Sequence, residues 1–210
     1  MTEILGADGR VVVLALARLT EPMGNSALVV ALPLYIASGG LAGDAFGLPL
    51  AVFTGAVLSA TGLPSSFGQP LTGRVSDWLG RRTPFVFGGL GVRTAALVGY
   101  LFAPTHAVLA LLRLLQGAGS AFTVPAALAL ISEYSATTNR GGSMGIYTAF
   151  QLAGSLVGIF AAGLLLSAPT YDLPLLGAVG RFPLVLGVAA AGAALSTALV
   201  GLFVADPEST

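Results

Sequence analysis

Residues 73–82 read Gly73-Arg74-Val75-Ser76-Asp77-Trp78-Leu79-Gly80-Arg81-Arg82, and this stretch is the most informative segment of the chain. It is polar, and long apolar stretches lie on both sides of it. Its two glycines permit a tight turn and a close approach between helices. Its aspartate and arginines are expected to form a charge cluster. We therefore predict a short charged loop between two membrane-spanning helices.

The composition around this segment is that of a membrane protein. Of 210 residues, 55% are hydrophobic and 9% are charged, and the mean hydropathy is +0.90. Soluble domains carry about 25% charged residues, so the composition excludes a cytosolic enzyme or a nucleic-acid-binding protein. Nine arginines balance nine carboxylates, which leaves no basic field for nucleic acid. The absence of cysteine and the single histidine, His106, give no basis for a metal site or another cofactor.

The hydrophobic pattern predicts six transmembrane helices in a single domain, residues 1–210. A bilayer core requires about 20 apolar residues per helix. The stretches that meet this length are 11–37, 47–71, 83–103, 106–131, 143–167 and 182–204. The fold class expected is therefore an all-α polytopic membrane protein.

The arginines at the ends of these stretches predict the orientation. Positive residues beside a span are retained on the cytoplasmic side of the membrane. With the N-terminus inside, only Arg181 falls outside, whereas the cytoplasmic side receives Arg10, Arg74, Arg81, Arg82 and Arg140. We therefore expect a multi-pass protein of the cell membrane with both termini in the cytoplasm.

An internal repeat relates the two halves of the chain. Arg18-Leu-Thr-Glu21-Pro-Met-Gly24 matches Arg113-Leu-Leu-Gln116-Gly-Ala-Gly119, and residues 80–88 match residues 180–187 with one deletion. Because each copy would hold three spans, the second copy must lie upside down in the membrane. The sequence thus predicts two inverted three-helix repeats, at about 11–103 and 106–204. Chance similarity in a chain rich in alanine, glycine and leucine is the alternative.

Residues 73–82 resemble the signature loop of the major facilitator superfamily, G-x-L-x-D-R-x-G-R-[RK], although Val75 and Trp78 depart from it. Arg113-x-x-Gln116-Gly117-x-Gly119 resembles the family's R-x-x-Q-G-x-G element. The resemblance implies half of a twelve-helix fold, the N-terminal half. It also implies a cytoplasmic latch, composed of Gly73, Asp77, Gly80, Arg81, Arg82, Glu133 and Arg140. The alternative is a loop whose charges only fix the topology.

Two polar faces lie within the apolar stretches. Residues at i, i+3 and i+7 share one face of a helix, which groups Arg18, Glu21 and Asn25 on the first span, and Arg113, Gln116 and Ser120 on the fourth. A charge near the bilayer centre costs at least about 2.5 kcal/mol, so such residues usually line a bundle interior or cavity. The resemblance places both faces on the substrate pathway. The alternative is that Arg18 reaches the membrane surface and that Arg113 braces neighbouring carbonyls.

Arg93 lies halfway along the third span, and the sequence indicates no partner for it. The predicted spans then hold three deep arginines, Arg18, Arg93 and Arg113, against one carboxylate, Glu21. The surplus must be balanced by a second half, a bound anion or water. In the fifth span, Gly154, Gly158 and Ala162 recur every four residues, which is typical of close helix packing. The run Gly154-x-x-x-Gly158-Ile159 resembles the glycine-proline motif of the antiporter branch of the family, but Ile159 stands where that motif has proline.

By resemblance, the expected function is secondary active transport of a small solute by alternating access, with Glu21 as the candidate group for proton coupling. Two alternatives stay open: an anion carrier that uses the intramembrane arginines, and a six-helix structural or interaction module without transport. A rhomboid-type protease is excluded because the chain has no histidine after His106. The partners expected are the lipid bilayer, a small-molecule substrate, and a second six-helix half or a second copy of this chain in a homodimer.

Overall fold

The structure is a computed structural model and describes residues 3–4, 7–135, 140–174, 177–204 and 206. Seven helices dominate it. They are α1 (Gly9–Ala37), α2 (Leu50–Ser59), α3 (Gly62–Leu79), α4 (Thr83–Tyr100), α5 (His106–Tyr134), α6 (Arg140–Leu165) and α7 (Arg181–Phe203). Because α2 and α3 are separated only by Ala60 and Thr61, the seven helices form six long segments.

Two short antiparallel strand pairs correct the all-α prediction. Strands β1 (Glu3–Ile4) and β2 (Ala7–Asp8) precede α1, and strands β3 (Thr170–Leu173) and β4 (Gly177–Gly180) join α6 to α7. Their pairing satisfies backbone groups that would otherwise have no partner beside a helix end.

The predicted loop at 73–82 is also corrected, because most of it is helical. Helix α3 continues to Leu79, so Gly73 and Asp77 lie on its last two turns. Gly80 ends the helix in the left-handed conformation, with φ at 61°, which glycine adopts without steric cost. The true loop is therefore only residues 80–82.

Within the described part of the chain, four segments are long and apolar enough to cross a membrane: Leu50–Leu79, His106–Tyr134, Gly141–Leu165 and Arg181–Phe203. Helices α1 and α4 are less apolar because they carry the charged residues Arg18, Glu21 and Arg93. Proline lies inside α1 at Pro22 and inside α5 at Pro125, and both helices continue through it.

Helix packing places α1 and α5 at the centre. Helix α1 packs against α6 and α7, and α5 packs against α3 and α4; α4 also contacts α7. Two larger apolar cores are stacked along these helices, beside a smaller third one where α1, α6 and α7 meet. One includes Leu28, Leu97 and Leu109; the other includes Leu14, Leu90 and Leu130. On α1, α4 and α5, the segment between the two cores carries polar side chains.

Candidate functional site

The polar layer between the two cores begins with an ion-pair cluster around Glu21. The carboxylate is buried, and its Oε2 atom lies 2.6 Å from Nη1 of Arg18, one turn earlier on α1. Its Oε1 atom lies 2.9 Å from Nη1 of Arg93 on α4. Arg93 also donates to Oγ of Ser120 on α5. One carboxylate therefore pairs with two guanidiniums, and the cluster, through Arg93 and Ser120, connects three helices.

A second cluster lies one turn further along the same helices. Arg113 on α5 is 1% exposed, and its Nη1 atom donates to Oδ1 of Asn25 and to Oε1 of Gln116, both at 3.1 Å. The hydroxyl of Tyr100 on α4 donates to the same Gln116 oxygen at 2.8 Å. The acceptors of this buried cation are neutral amide oxygens.

The second cluster has spare donor capacity. Among the described residues, Nε of Arg113 and Nε2 of Gln116 are buried without a hydrogen-bond partner. Buried donors without acceptors cost about 1–3 kcal/mol each, so the arrangement favours an acceptor that enters from outside the described residues. An anion would satisfy both the donors and the charge, whereas a water molecule would satisfy the donors alone.

Tyr147 of α6 closes the Glu21 cluster on the side of the second apolar core. Its ring centroid lies 5.2 Å from the guanidinium carbon of Arg18, a cation–π distance. A cavity of about 10 Å³ separates Arg18, Glu21 and Tyr147 from Thr123. This volume is close to the space that one water molecule occupies, and the buried Nε of Arg18 has no partner within the described residues.

The charged residues at the end of α3 form a second site. We call it the latch, and it comprises the residues predicted for it above: Gly73, Asp77, Gly80, Arg81, Arg82, Glu133 and Arg140. Arg82 lies at its centre: its Nη1 atom is 3.0 Å from Oδ1 of Asp77, and its Nε atom is 2.6 Å from Oε1 of Glu133. Arg82 thus bridges the ends of α3 and α5. Arg81 instead approaches Asp206, with Nε 3.9 Å from Oδ2. The side chain of Arg140 lies outside the described residues.

The sequence pattern grouped the residues of each helix correctly, because their spacing follows the helical period. The six residues predicted for the substrate pathway all lie in the polar layer: Arg18, Glu21, Asn25, Arg113, Gln116 and Ser120. The roles of these residues and of the latch are addressed below as proposals.

Comparison with known proteins identifies the family. The model of the Major Facilitator Superfamily matches residues 14–210, nearly the whole chain. The chain belongs to this superfamily. It is therefore a membrane protein of a transporter family rather than a member of an enzyme family.

Individual relatives within the superfamily agree with this match. The puromycin resistance protein pur8 of Streptomyces alboniger is 45% identical over 96 residues, which is 45% of this chain and 19% of the relative. The vesicular acetylcholine transporter of Rattus norvegicus is 35% identical over 144 residues, 66% of this chain and 27% of the relative. A multi-drug resistance efflux pump, the PmrA homolog of Lactococcus lactis, is 31% identical over 134 residues, which is 64% of this chain and 32% of the relative. The matched segments thus cover less than a third of these relatives.

Three side chains of the two sites were not predicted from the sequence. Tyr100 and Tyr147 join the polar layer from α4 and α6, and Asp206 joins the latch. Tyrosine in an apolar stretch gives no signal by itself, because it is common in helix interiors and at membrane interfaces. Tyr100, however, lies seven residues after Arg93 on the same helix face, and this spacing could have indicated its position.

Proposed function

We propose that this chain forms a six-helix unit of a secondary transporter that moves a small solute by alternating access. The observation that carries the proposal is the buried polar layer, in which Glu21, Arg93 and Arg113 lie between two apolar cores. Buried ionisable residues at this depth are costly and are typical of substrate or proton pathways. In this proposal the unit spans the cell membrane six times, with both termini in the cytoplasm.

The inverted repeat is part of the proposal, and the packing supports it. Exchanging α1 with α5, α2 and α3 with α6, and α4 with α7 maps the principal helix contacts onto one another. The i, i+3 contact between Arg18 and Glu21 has its counterpart in Arg113 and Gln116. These are the equivalent positions of the sequence repeat, at residues 11–103 and 106–204. Both repeats lie in one domain, residues 1–210.

Glu21 is proposed to carry the coupled proton. Its contacts to Arg18 and Arg93 depend on its negative charge, so protonation would weaken both and favour another arrangement of the helices. The latch would then hold one of the two arrangements through Arg82, which bridges α3 and α5 at the cytoplasmic end. Arg81, Arg140 and the glycines Gly73 and Gly80 would complete the latch by resemblance to the family.

A specific observation favours an anionic substrate as a second candidate. In the hydrogen bonds described above, Arg113 donates only to neutral amide oxygens. Its own Nε and the Nε2 of Gln116 have no hydrogen-bond partner among the described residues. A carboxylate or phosphate of the substrate would satisfy this cluster. The competing class of substrate is a basic organic solute. The names of two relatives, a puromycin resistance protein and an acetylcholine transporter, suggest this class.

The proposed partner is a second six-helix unit, and a parallel homodimer supplies it most simply. Transporter halves are related by an axis along the membrane normal, so an identical copy in the same orientation satisfies the geometry. Measuring the mass of the protein in nanodiscs tests this proposal. A dimer is expected, and a monomer at ~μM protein would contradict a stable homodimer.

Uptake into proteoliposomes tests the function. We expect accumulation of puromycin or of a small aromatic carboxylate when a pH gradient is imposed, and loss of the gradient dependence in Glu21→Gln. The matched control is Asp172→Asn, which removes an exposed carboxylate on β3. If dimeric protein takes up neither solute above the level of empty liposomes, the result favours the alternative, a six-helix structural or interaction module that does not transport.

A further inference from the structure

Arg93 is a buried cation in the middle of α4, and it contacts both other helices of the polar layer. Its side chain is 7% exposed. Nη1 lies 2.9 Å from Oε1 of Glu21 on α1, and the same nitrogen donates to Ser120 on α5. A buried arginine of this kind is retained only when its partners compensate for the lost hydration.

Space around Arg93 is restricted by close backbone packing. A Cβ atom at Gly119 of α5 would lie 2.5 Å from Cγ of Arg93 and 2.7 Å from the carbonyl oxygen of Gly89. Because these glycines leave no room for a side chain, the stem of Arg93 is fixed between α4 and α5. Its guanidinium is therefore directed at Glu21 by the packing of the two helices.

The surroundings of Glu21 contain few other ionisable groups. Arg18 faces it from α1, Arg93 from α4 and Tyr147 from α6. Helix α5 contributes the hydroxyls of Ser120 and Thr123, with Arg113 in the next layer. Helix α7 has no titratable residue after Arg181.

We propose that Arg93 is the positioning residue that couples the protonation of Glu21 to the movement of α4 against α1. This proposal rests on the proposed function and extends it to a residue on the third membrane segment. Arg18 lies on the same helix as Glu21, so the Arg18–Glu21 contact moves with α1. The contact to Arg93 is the one that joins two helices.

The step consists of one proton transfer. A proton from the aqueous phase binds a carboxylate oxygen of Glu21, and the ion pair with Arg93 is replaced by a weaker hydrogen bond or none. Before the transfer, two guanidiniums face one carboxylate and one positive charge remains; afterwards, both guanidiniums are unbalanced. Repulsion between Arg18 and Arg93 then favours separation of α1 from α4, while Ser120 retains Arg93 on the side of α5.

The test measures the unfolding temperature and uptake as functions of pH, with the purified chain of residues 1–210. The variants are Arg93→Gln, Arg93→Lys, Glu21→Gln and the double variant Glu21→Gln/Arg93→Gln. Arg74→Gln is the matched control, because Arg74 is exposed on α3. The unfolding measurement requires no substrate, so it reports on the Arg93–Glu21 coupling even if transport is absent.

In Arg93→Gln, we expect the acid transition of both profiles to move to higher pH by about one unit or more, because an opposite charge within 4–6 Å commonly has an effect of that size. Arg93→Lys retains the charge and should restore the midpoint to within a few tenths of a unit of the parent. Glu21→Gln should abolish the transition, and adding Arg93→Gln should change nothing further. The Arg74→Gln profile should match that of the parent.

The proposal is overturned if Arg93→Gln leaves the acid midpoint unchanged while Glu21→Gln removes it. It is also overturned if Arg93→Lys behaves like Arg93→Gln, since the charge would then be irrelevant. If Arg93→Gln does not fold, Arg93→Lys and the double variant decide, because neither removes the charge at position 93 while the Glu21 carboxylate remains: an acid transition near the parent midpoint in Arg93→Lys and none in the double variant supports the proposal, and a transition that persists in the double variant overturns it. A shifted unfolding midpoint without any uptake would support the coupling and contradict the proposed transport.

Discussion

The carboxylate of Asp206 accepts a hydrogen bond of 2.8 Å from the backbone nitrogen of Thr83, the first residue of α4. The same Oδ1 atom accepts from the backbone nitrogen of Arg82 at 2.7 Å. The first backbone N–H groups of a helix have no partner within the helix. Asp206, which follows α7, therefore caps α4 from a distant part of the chain and joins the ends of the third and sixth segments.

Asp206→Ala should destabilise the protein by about 1 kcal/mol, because loss of a capping carboxylate typically costs 0.5–2 kcal/mol. Asp206→Asn should lose less, since the amide oxygen still accepts a hydrogen bond. The free energy of unfolding in detergent measures both effects. Asp172→Asn, at an exposed position of β3, is the control and should be neutral; an equal loss in all three variants would contradict the capping role.

Periodicity within one helix was sufficient to predict the contacts of the polar faces. Arg18 with Glu21, and Arg113 with Gln116, are pairs at i, i+3, and the structure forms both. Contacts between helices were not predictable from the spacing. Arg93 and Glu21 meet because α4 packs beside the same neighbours as α1, and no local pattern encodes that arrangement.

Helix ends were predicted less accurately than helix interiors. The segment 73–82 was expected to be a loop because its residues are polar, yet α3 continues to Leu79 before Gly80 ends it. Polar residues are compatible with a helix that extends beyond an apolar region.

Asp77→Asn should change the conformation of the protein more than its stability. The Asp77 side chain is 64% exposed, and exposed ion pairs contribute about 0–1 kcal/mol. Arg82 would still be held by Glu133, while its contact to α3 would lose the opposite charge and weaken to a hydrogen bond with the amide oxygen. Labelling rates of single cysteines at Leu16 and Val29, exposed positions toward the two ends of α1, measure the conformational change. We expect their ratio to change about twofold, which corresponds to a shift of about 0.4 kcal/mol in the equilibrium, within the range that an exposed ion pair contributes.

The outcome that contradicts the latch is an unchanged labelling ratio together with unchanged uptake in Asp77→Asn. Arg74→Gln serves as the control on the same helix, because Arg74 is exposed and lies one turn away. Its labelling ratio should equal that of the parent.

The proposed orientation predicts which loops an impermeant thiol reagent reaches in intact cells. The chain has no cysteine, so single substitutions report cleanly. Trp78 is 85% exposed near the C-terminal end of α3. Phe102 is 76% exposed just beyond the C-terminal end of α4. Trp78→Cys should be labelled only after the cells are permeabilised, whereas Phe102→Cys should be labelled in intact cells. The reverse result would invert the topology.

Glycines 154 and 158 of α6 permit its contact with α1. A Cβ atom at Gly154 would overlap the carbonyl oxygen of Leu19, and one at Gly158 would overlap that of Met23. Backbone atoms cannot move aside as a flexible side chain can, so α6 would have to shift away from α1. Alanine at either position should therefore destabilise the protein by at least the 1–3 kcal/mol that is typical of overpacking.

Gly163 provides the matched control for this prediction, because it lies on the same helix and has open space around its Cβ position. Alanine has the higher helix propensity, so Gly163→Ala should be neutral or stabilising by up to about 1 kcal/mol. Denaturation of the three alanine variants in the same detergent measures the difference. If Gly154→Ala and Gly158→Ala are as stable as Gly163→Ala, then α1 and α6 are not in backbone contact. The symmetry argument from the packing of α1 with α6 and of α5 with α3 would then lose its support.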